Sequence, residues 1–168
     1  LALDPQATAQ AVAAGAGAAA WPLLFEEQLS EEQMKAHRFL ANHADMNAEA
    51  GHFMPDTAVF GQGAAHHLAQ MRALKQVVDV PLIASLNGTT PGGWTRYARQ
   101  LADAGADALE LNLYEVVTQT AETGAEVESR QLAVVAAVVA AVSIPVAVKL
   151  TPFYASLPAF VQRLEQVG

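Results

Sequence analysis

Short apolar runs that end on a polar residue alternate along this chain with amphipathic runs of helical length, and this alternation narrows the possible folds most. "VPLIASLN" (80–87), "ADALELNL" (106–113) and "IPVAVKL" (144–150) read as strands over Pro81 or Leu82 to Leu86, Ala108 to Leu113, and up to Leu150. "AGAAAWPLL" (16–24) reads more weakly as a strand from Ala18 to Leu23, because alanine is a poor strand former. Helices are expected from Pro5, capped by Asp4, to about Ala14, from Glu26 to Ala41 with Ser30 and Gln33 as a capping box, and from Ala64 to Val78. Further helices are expected from Trp94 to Ala104, from Ala125 to Val142, and from near Ser156 to Val167. Between Asn42 and Gly63 the periodicity is lost in a long His-, Gly- and Pro-containing connection.

Helix–strand alternation calls for right-handed crossovers and a parallel sheet covered by helices. In "LIASLN" both alternations, Leu82, Ala84, Leu86 and Ile83, Ser85, are largely nonpolar, as a sheet covered on both faces requires. A weak repeat, "VVDVPLIASLN" against "VAAVSIPVAVKLTP", suits the repeated βα units of a barrel; a doubly wound sheet shares this signal. Hydrophobic residues at 52% and charged residues at only 15% of the 168 also fit elements buried on two sides.

Composition excludes several functions. Nine Lys and Arg against 17 Asp and Glu give a net charge of −8, which repels a nucleic-acid backbone. There are no cysteines, so disulfides, thiolate metal sites and cysteine nucleophiles are excluded from this segment. No uninterrupted apolar run is long enough for a spanning helix; the nearest, Ala7 to Ala20, contains Gly15 and Gly17. These features lead us to expect a cytoplasmic protein with a small-molecule substrate and no nucleic-acid or membrane partner. The five histidines form no HExxH and no metal-ligand spacing, so no metal site is expected, and they read as solvated or helix-capping.

Polar residues at the strand ends are the candidates for chemistry. Alternation puts Glu110 and Asn112 on one face of their strand and Ala147 and Lys149 on one face of the next, with Asn87 ending the strand before. Lys149, in a strand as apolar as "VAVKL", must find a carboxylate, a ligand anion or water. Two readings stay open. Glu110 and Lys149 can form an ion pair that merely satisfies both, or Lys149 can face a bound cofactor with Asn87 and Asn112 as hydrogen-bonding partners. "NGTTPGG" (87–93) has three glycines but neither GxGxxG nor a GK[ST] ending, and it can wrap a ligand or simply turn into the next helix. Tyr114 and Glu115, just past Asn112, can reach a bound ring or lie in an exposed loop.

"PLIASLNG", "YARQLADAGADALELNLY", "ETGAEVE" and "AAVSIPVAVKLTPFYASLPAF", with "PLLFEEQL" at 22–29, resemble the dihydroorotate dehydrogenase family, in particular its bacterial dihydroorotate dehydrogenase-like branch. The resemblance implies an α/β fold, a partial TIM (β/α)₈ barrel of about four parallel strands with flanking helices. Residues 1–168 would form a single partial barrel domain lacking the family's first strand and its last three. It further implies FMN as cofactor, with Asn87, Asn112 and Lys149 as cofactor-binding residues and Glu115 and Lys149 as catalytic ones, Glu115 lying where the family carries a cysteine or serine base. The implied reaction is hydride transfer between a substrate carbon–carbon bond and FMN, a flavoprotein oxidoreductase activity associated with pyrimidine biosynthesis. As a fragment the chain would be inactive alone. The alternative is a noncatalytic, truncated or self-associating α/β unit, a homo-oligomer that completes its own sheet; a phosphate-sugar-binding barrel enzyme without flavin is a third possibility.

Overall fold

A computed structural model describes residues 5–25, 63–87 and 91–168. In chain order the elements are α1 (Pro5–Ala13), β1 (Ala19–Phe25), α2 (Gly63–Lys75), β2 (Leu82–Asn87), α3 (Pro91–Asp103), β3 (Ala108–Asn112), α4 (Gly124–Val139), β4 (Val146–Lys149) and α5 (Leu157–Glu165). The four strands form one parallel sheet in the order β1-β2-β3-β4. A doubly wound sheet reverses its order at a switch point, whereas a barrel adds each strand beside the last. The observed order is the barrel's, so the α/β partial-barrel expectation holds. The expected helix at 26–41 and most of the 42–63 connection lie outside the described residues.

One sheet face carries the core. Leu82, Ala84 and Leu86 of β2 and Leu109 and Leu111 of β3 are fully buried. Against them pack Leu68, Met71 and Leu74 of α2, Trp94, Tyr97 and Leu101 of α3, and Val134, Val135 and Val138 of α4. In α3 those apolar residues recur at helical spacing while Arg96, Arg99 and Asp103 face solvent, which makes it a strongly amphipathic helix. Trp21 of β1 joins this face, and its indole Nε1–H donates to His67 Nε2 of α2 at 2.6 Å. His67 is therefore a half-buried acceptor, not the solvated or capping residue expected. Burial, and secondarily His66, holds its pKa below the usual histidine value, favouring the neutral ring that can accept.

Local chemistry explains most shifts of the element ends. Helix α3 starts at Pro91, where proline at the first helical position costs no hydrogen bond, so Gly92 and Gly93 belong to its first turn and not to a loop. It closes on Gly105, whose φ of +102° permits the Ala106 N–H to reach the Leu101 carbonyl at 3.1 Å. Helix α4 is capped by Thr123, whose side chain accepts from the Glu126 amide while the Glu126 carboxylate accepts from the Thr123 amide at 2.7 Å, a capping box. Strand β1 is irregular between Trp21 and Leu24, on either side of Pro22, which has no N–H to give to the ladder.

At the amino-terminal end of the sheet Asp107 joins three elements. Its carboxylate accepts from the backbone N–H of Leu82 at 2.7 Å and from Lys75 Nζ at the end of α2, while its own N–H donates to the Leu82 carbonyl at 2.9 Å. Lys75 first, then the Leu82 amide, holds the Asp107 carboxyl below the usual aspartate pKa. Its stabilisation is thus complete above the unfolded aspartate pKa of about 4 and is lost as pH falls through the lower folded value. Asp107→Ala strands the amide of a fully buried residue and should cost about 1–2 kcal/mol in urea unfolding at pH 7, with a smaller cost at pH 3. An unchanged unfolding midpoint at pH 7 would show that the contact carries no stability.

Candidate functional site

Register places the polar residues. Ser85 pairs across the ladder with Glu110, and Glu110 with Ala147; one step nearer the carboxyl end, Asn112 pairs with Lys149. Because side chains alternate, Ser85, Asn87, Glu110, Asn112, Ala147 and Lys149 share the sheet face opposite the hydrophobic core. In a closed barrel that face is the interior, and the carboxyl ends of the strands form its active-site mouth.

Two donors converge on one carboxylate oxygen. Ser85 Oγ donates to Glu110 Oε1 at 2.6 Å, and Lys149 Nζ donates to the same oxygen at 2.8 Å. Lys149 first, then Ser85, holds the Glu110 carboxyl below the usual glutamate pKa. Lys149 Nζ also lies 6.0 Å from the centre of the Tyr114 ring. Beside this trio Asn112 is buried, and its Oδ1 accepts no hydrogen bond from the described residues. A buried amide oxygen without a donor is costly, so the position favours a water or a ligand hydroxyl at that point.

The other expected residues are placed differently. Asn87 is half-buried at the end of β2, opposite Phe25 of β1. Glu115 faces Arg130 of α4, accepting from Nη2 at 2.6 Å, while Arg130 Nη1 binds Glu122. Arg130 thus ties both ends of the β3–α4 loop to the helix, and Glu115 is engaged there instead of at the Glu110–Lys149 pair. The same loop forms one wall of a cleft of about 670 Å³, and the β4–α5 loop with Phe153 and Tyr154 forms the other. At its edge Tyr154 Oη donates to Gln131 Oε1 at 2.9 Å, and the Tyr154 ring stacks on Phe160 at 4.5 Å. Burial raises the Tyr154 phenol above the usual tyrosine pKa.

Ser85 was missed as a site residue because its alternation looked nonpolar. The signal was present: "SLN" and "ELN" repeat a polar residue, leucine and asparagine at matching strand ends. Arg130 and the cleft carried no such signal, since they depend on how two loops meet a helix.

No family model matches the chain, and no curated protein matches it. Among solved structures, phosphonopyruvate hydrolase is similar with a TM-score of 0.60 and 20% identity, covering 99% of this chain and 53% of that one. A complex of phosphonopyruvate hydrolase with oxalate and Mg²⁺ gives 0.57 and 19%, with 99% and 53% covered. Dihydrodipicolinate synthase from Agrobacterium tumefaciens strain C58 gives 0.50 and 19%, covering 90% of this chain and 51% of that one. The chain therefore spans about half the length of these structures, and at such identities the likeness establishes the fold.

These findings correct the dihydroorotate dehydrogenase resemblance, and with it the flavoprotein oxidoreductase activity, the link to pyrimidine biosynthesis and the FMN cofactor. The structures matched are a hydrolase and a synthase, and the ligands named in one are oxalate and Mg²⁺. Lys149, the cation expected to face a reduced flavin, is paired with the Glu110 carboxylate, which offsets part of its charge. Among the described residues no cluster of three or more His, Asp or Glu side chains is placed to hold a metal, and Glu110, the one acid on the polar sheet face, is already neutralised. Among the described residues no helix is long and apolar enough to cross a membrane.

The Glu110–Lys149 pair is partly solvated, with side chains 31% and 43% exposed, so its coupling should be small. A double-mutant cycle with Glu110→Gln and Lys149→Met should give about 0.5–1 kcal/mol at pH 7. Since Glu110 titrates lower in the folded state, that coupling should persist above the unfolded glutamate pKa of about 4.3 and disappear as pH falls through the folded value. A coupling that does not change with pH would mean that the pair is not ionic.

Proposed function

We propose that the chain carries the cation-bearing part of a (β/α)-barrel enzyme site for a small 2-oxo carboxylate. The observation that carries this reading is the Ser85–Glu110–Lys149 chain of hydrogen bonds at the carboxyl ends of parallel strands, beside the buried Asn112 carbonyl. Support of a second kind comes from the named ligands of the similar fold: phosphonopyruvate is a 2-oxo acid, and oxalate is a compact dianion of similar carboxylate geometry.

The roles follow from donor counting. An ammonium has three N–H groups, and Glu110 takes one, leaving two to bind a carboxylate or a carbonyl oxygen. A fixed cation beside an oxo group stabilises negative charge that grows on its oxygen, the requirement for breaking or making a bond next to that carbonyl. Ser85 fixes the Glu110 carboxylate, Glu110 fixes Lys149, and Asn112, with Asn87 further along the mouth, orients a ligand hydroxyl or a bound water. Glu115 serves as a base in this scheme only after leaving Arg130, which makes Lys149 the stronger catalytic assignment.

Oxalate binding, measured by titration calorimetry, should therefore be detectable in the millimolar range or tighter, and should weaken as salt is raised. Lys149→Met should lower the affinity by about 10-fold or more, as expected for losing a charge-assisted contact. Asn112→Leu should lower it less. Affinity unaffected by Lys149→Met would overturn the assignment of the cation.

A further inference from the structure

The cleft between the β3–α4 and β4–α5 loops has no part in holding a carboxylate, yet its exposed surface is unusual. Phe153 is 90% exposed and Val116 88%, and Tyr114 is half exposed; all three line the cleft together with Val117 and Val127. Large apolar side chains gathered around one concave site mark a surface made to be covered. Of the three acids on its walls, Glu128 pairs with Arg163 at 2.7 Å, while Glu115 and Glu122 share Arg130, so the ion pairs leave one net negative charge beside the apolar side chains. At about 670 Å³ the space lies within the range of ordinary small-molecule sites.

Tyr114 connects this cleft to the polar sheet face. Its ring lines the cleft and lies 6.0 Å from Lys149 Nζ. A ligand whose carboxylate meets Lys149 thus has the Tyr114 ring, part of the cleft lining, 6.0 Å from that cation. We infer that the cleft receives the aromatic tail of the 2-oxo carboxylate whose anionic head Lys149 binds. Tyr114 and Phe153 then set specificity by stacking against that ring, while the net negative charge of the walls disfavours an anionic tail. This inference rests on the head-group site proposed above, and it distinguishes the chain's substrate from oxalate and phosphonopyruvate, which carry no such tail.

Calorimetry on the full chain with 2-oxobutanoate and 4-phenyl-2-oxobutanoate, which differ only by the phenyl group, tests it. The phenyl compound should bind about 10-fold tighter or more, as expected for burying an aromatic ring. Phe153→Ser and Val116→Ser, at positions too exposed to disturb folding, should each move the ratio of the two affinities toward one. Lys149→Met should weaken both compounds. Equal affinities that both fall in Lys149→Met would overturn the tail site and leave the head-group reading standing; failure of either compound to bind would overturn both. A phenyl preference that survives Phe153→Ser and Val116→Ser together would also overturn the inference, because the ring would then sit elsewhere.

Discussion

Lys149 ends a strand as apolar as Val146–Lys149, and the parallel register of β3 and β4 decides which group its ammonium meets. Pairing Glu110 with Ala147 and Asn112 with Lys149 sets the carboxylate one layer behind the cation, within reach of its side chain. A slip of one residue would turn Lys149 into the hydrophobic face among Leu109 and Leu111. The β2–β3 register sets Ser85 opposite Glu110, and the Asn112 carbonyl lies alongside. The polar row is thus a product of strand pairing, and the core on the opposite face holds that pairing in place.

Helix–strand alternation and the strand ends were legible in the sequence because they arise from local patterns: period-2 runs, glycine stops and proline starts. The shared face of Glu110, Asn112 and Lys149 could also be read, since alternation along a strand is strict. The sequence left open whether Lys149 meets Glu110 or a ligand, and the structure shows the ion pair. What could not be read is tertiary. The Trp21–His67 hydrogen bond spans 46 residues. The Arg130 contacts and the cleft depend on loops without periodicity, and Glu115, placed beside a ligand by its proximity to Asn112, turns to the helix.

The resemblance in the strand-end motifs led to a flavin, and the structural comparisons lead elsewhere. This contrast follows from how barrels are made. Strands rich in small and branched residues are demanded by the architecture, so they recur among enzymes of different chemistry. Specific evidence must come from groups the architecture does not require, such as a second carboxylate-bound donor or a concave apolar wall. In this chain those groups are Ser85, bonded to the same Glu110 oxygen as Lys149, and the Tyr114–Phe153 cleft.

Asp107 and Lys149 occupy opposite ends of the same short sheet. The first fastens α2 and β2 where the strands begin; the second faces the mouth where they finish. Fastening and the proposed ligand contact thereby fall to separate positions, with a layer of leucines between them. Residues at the rim can therefore be exchanged without loosening the contacts that secure the opposite pole.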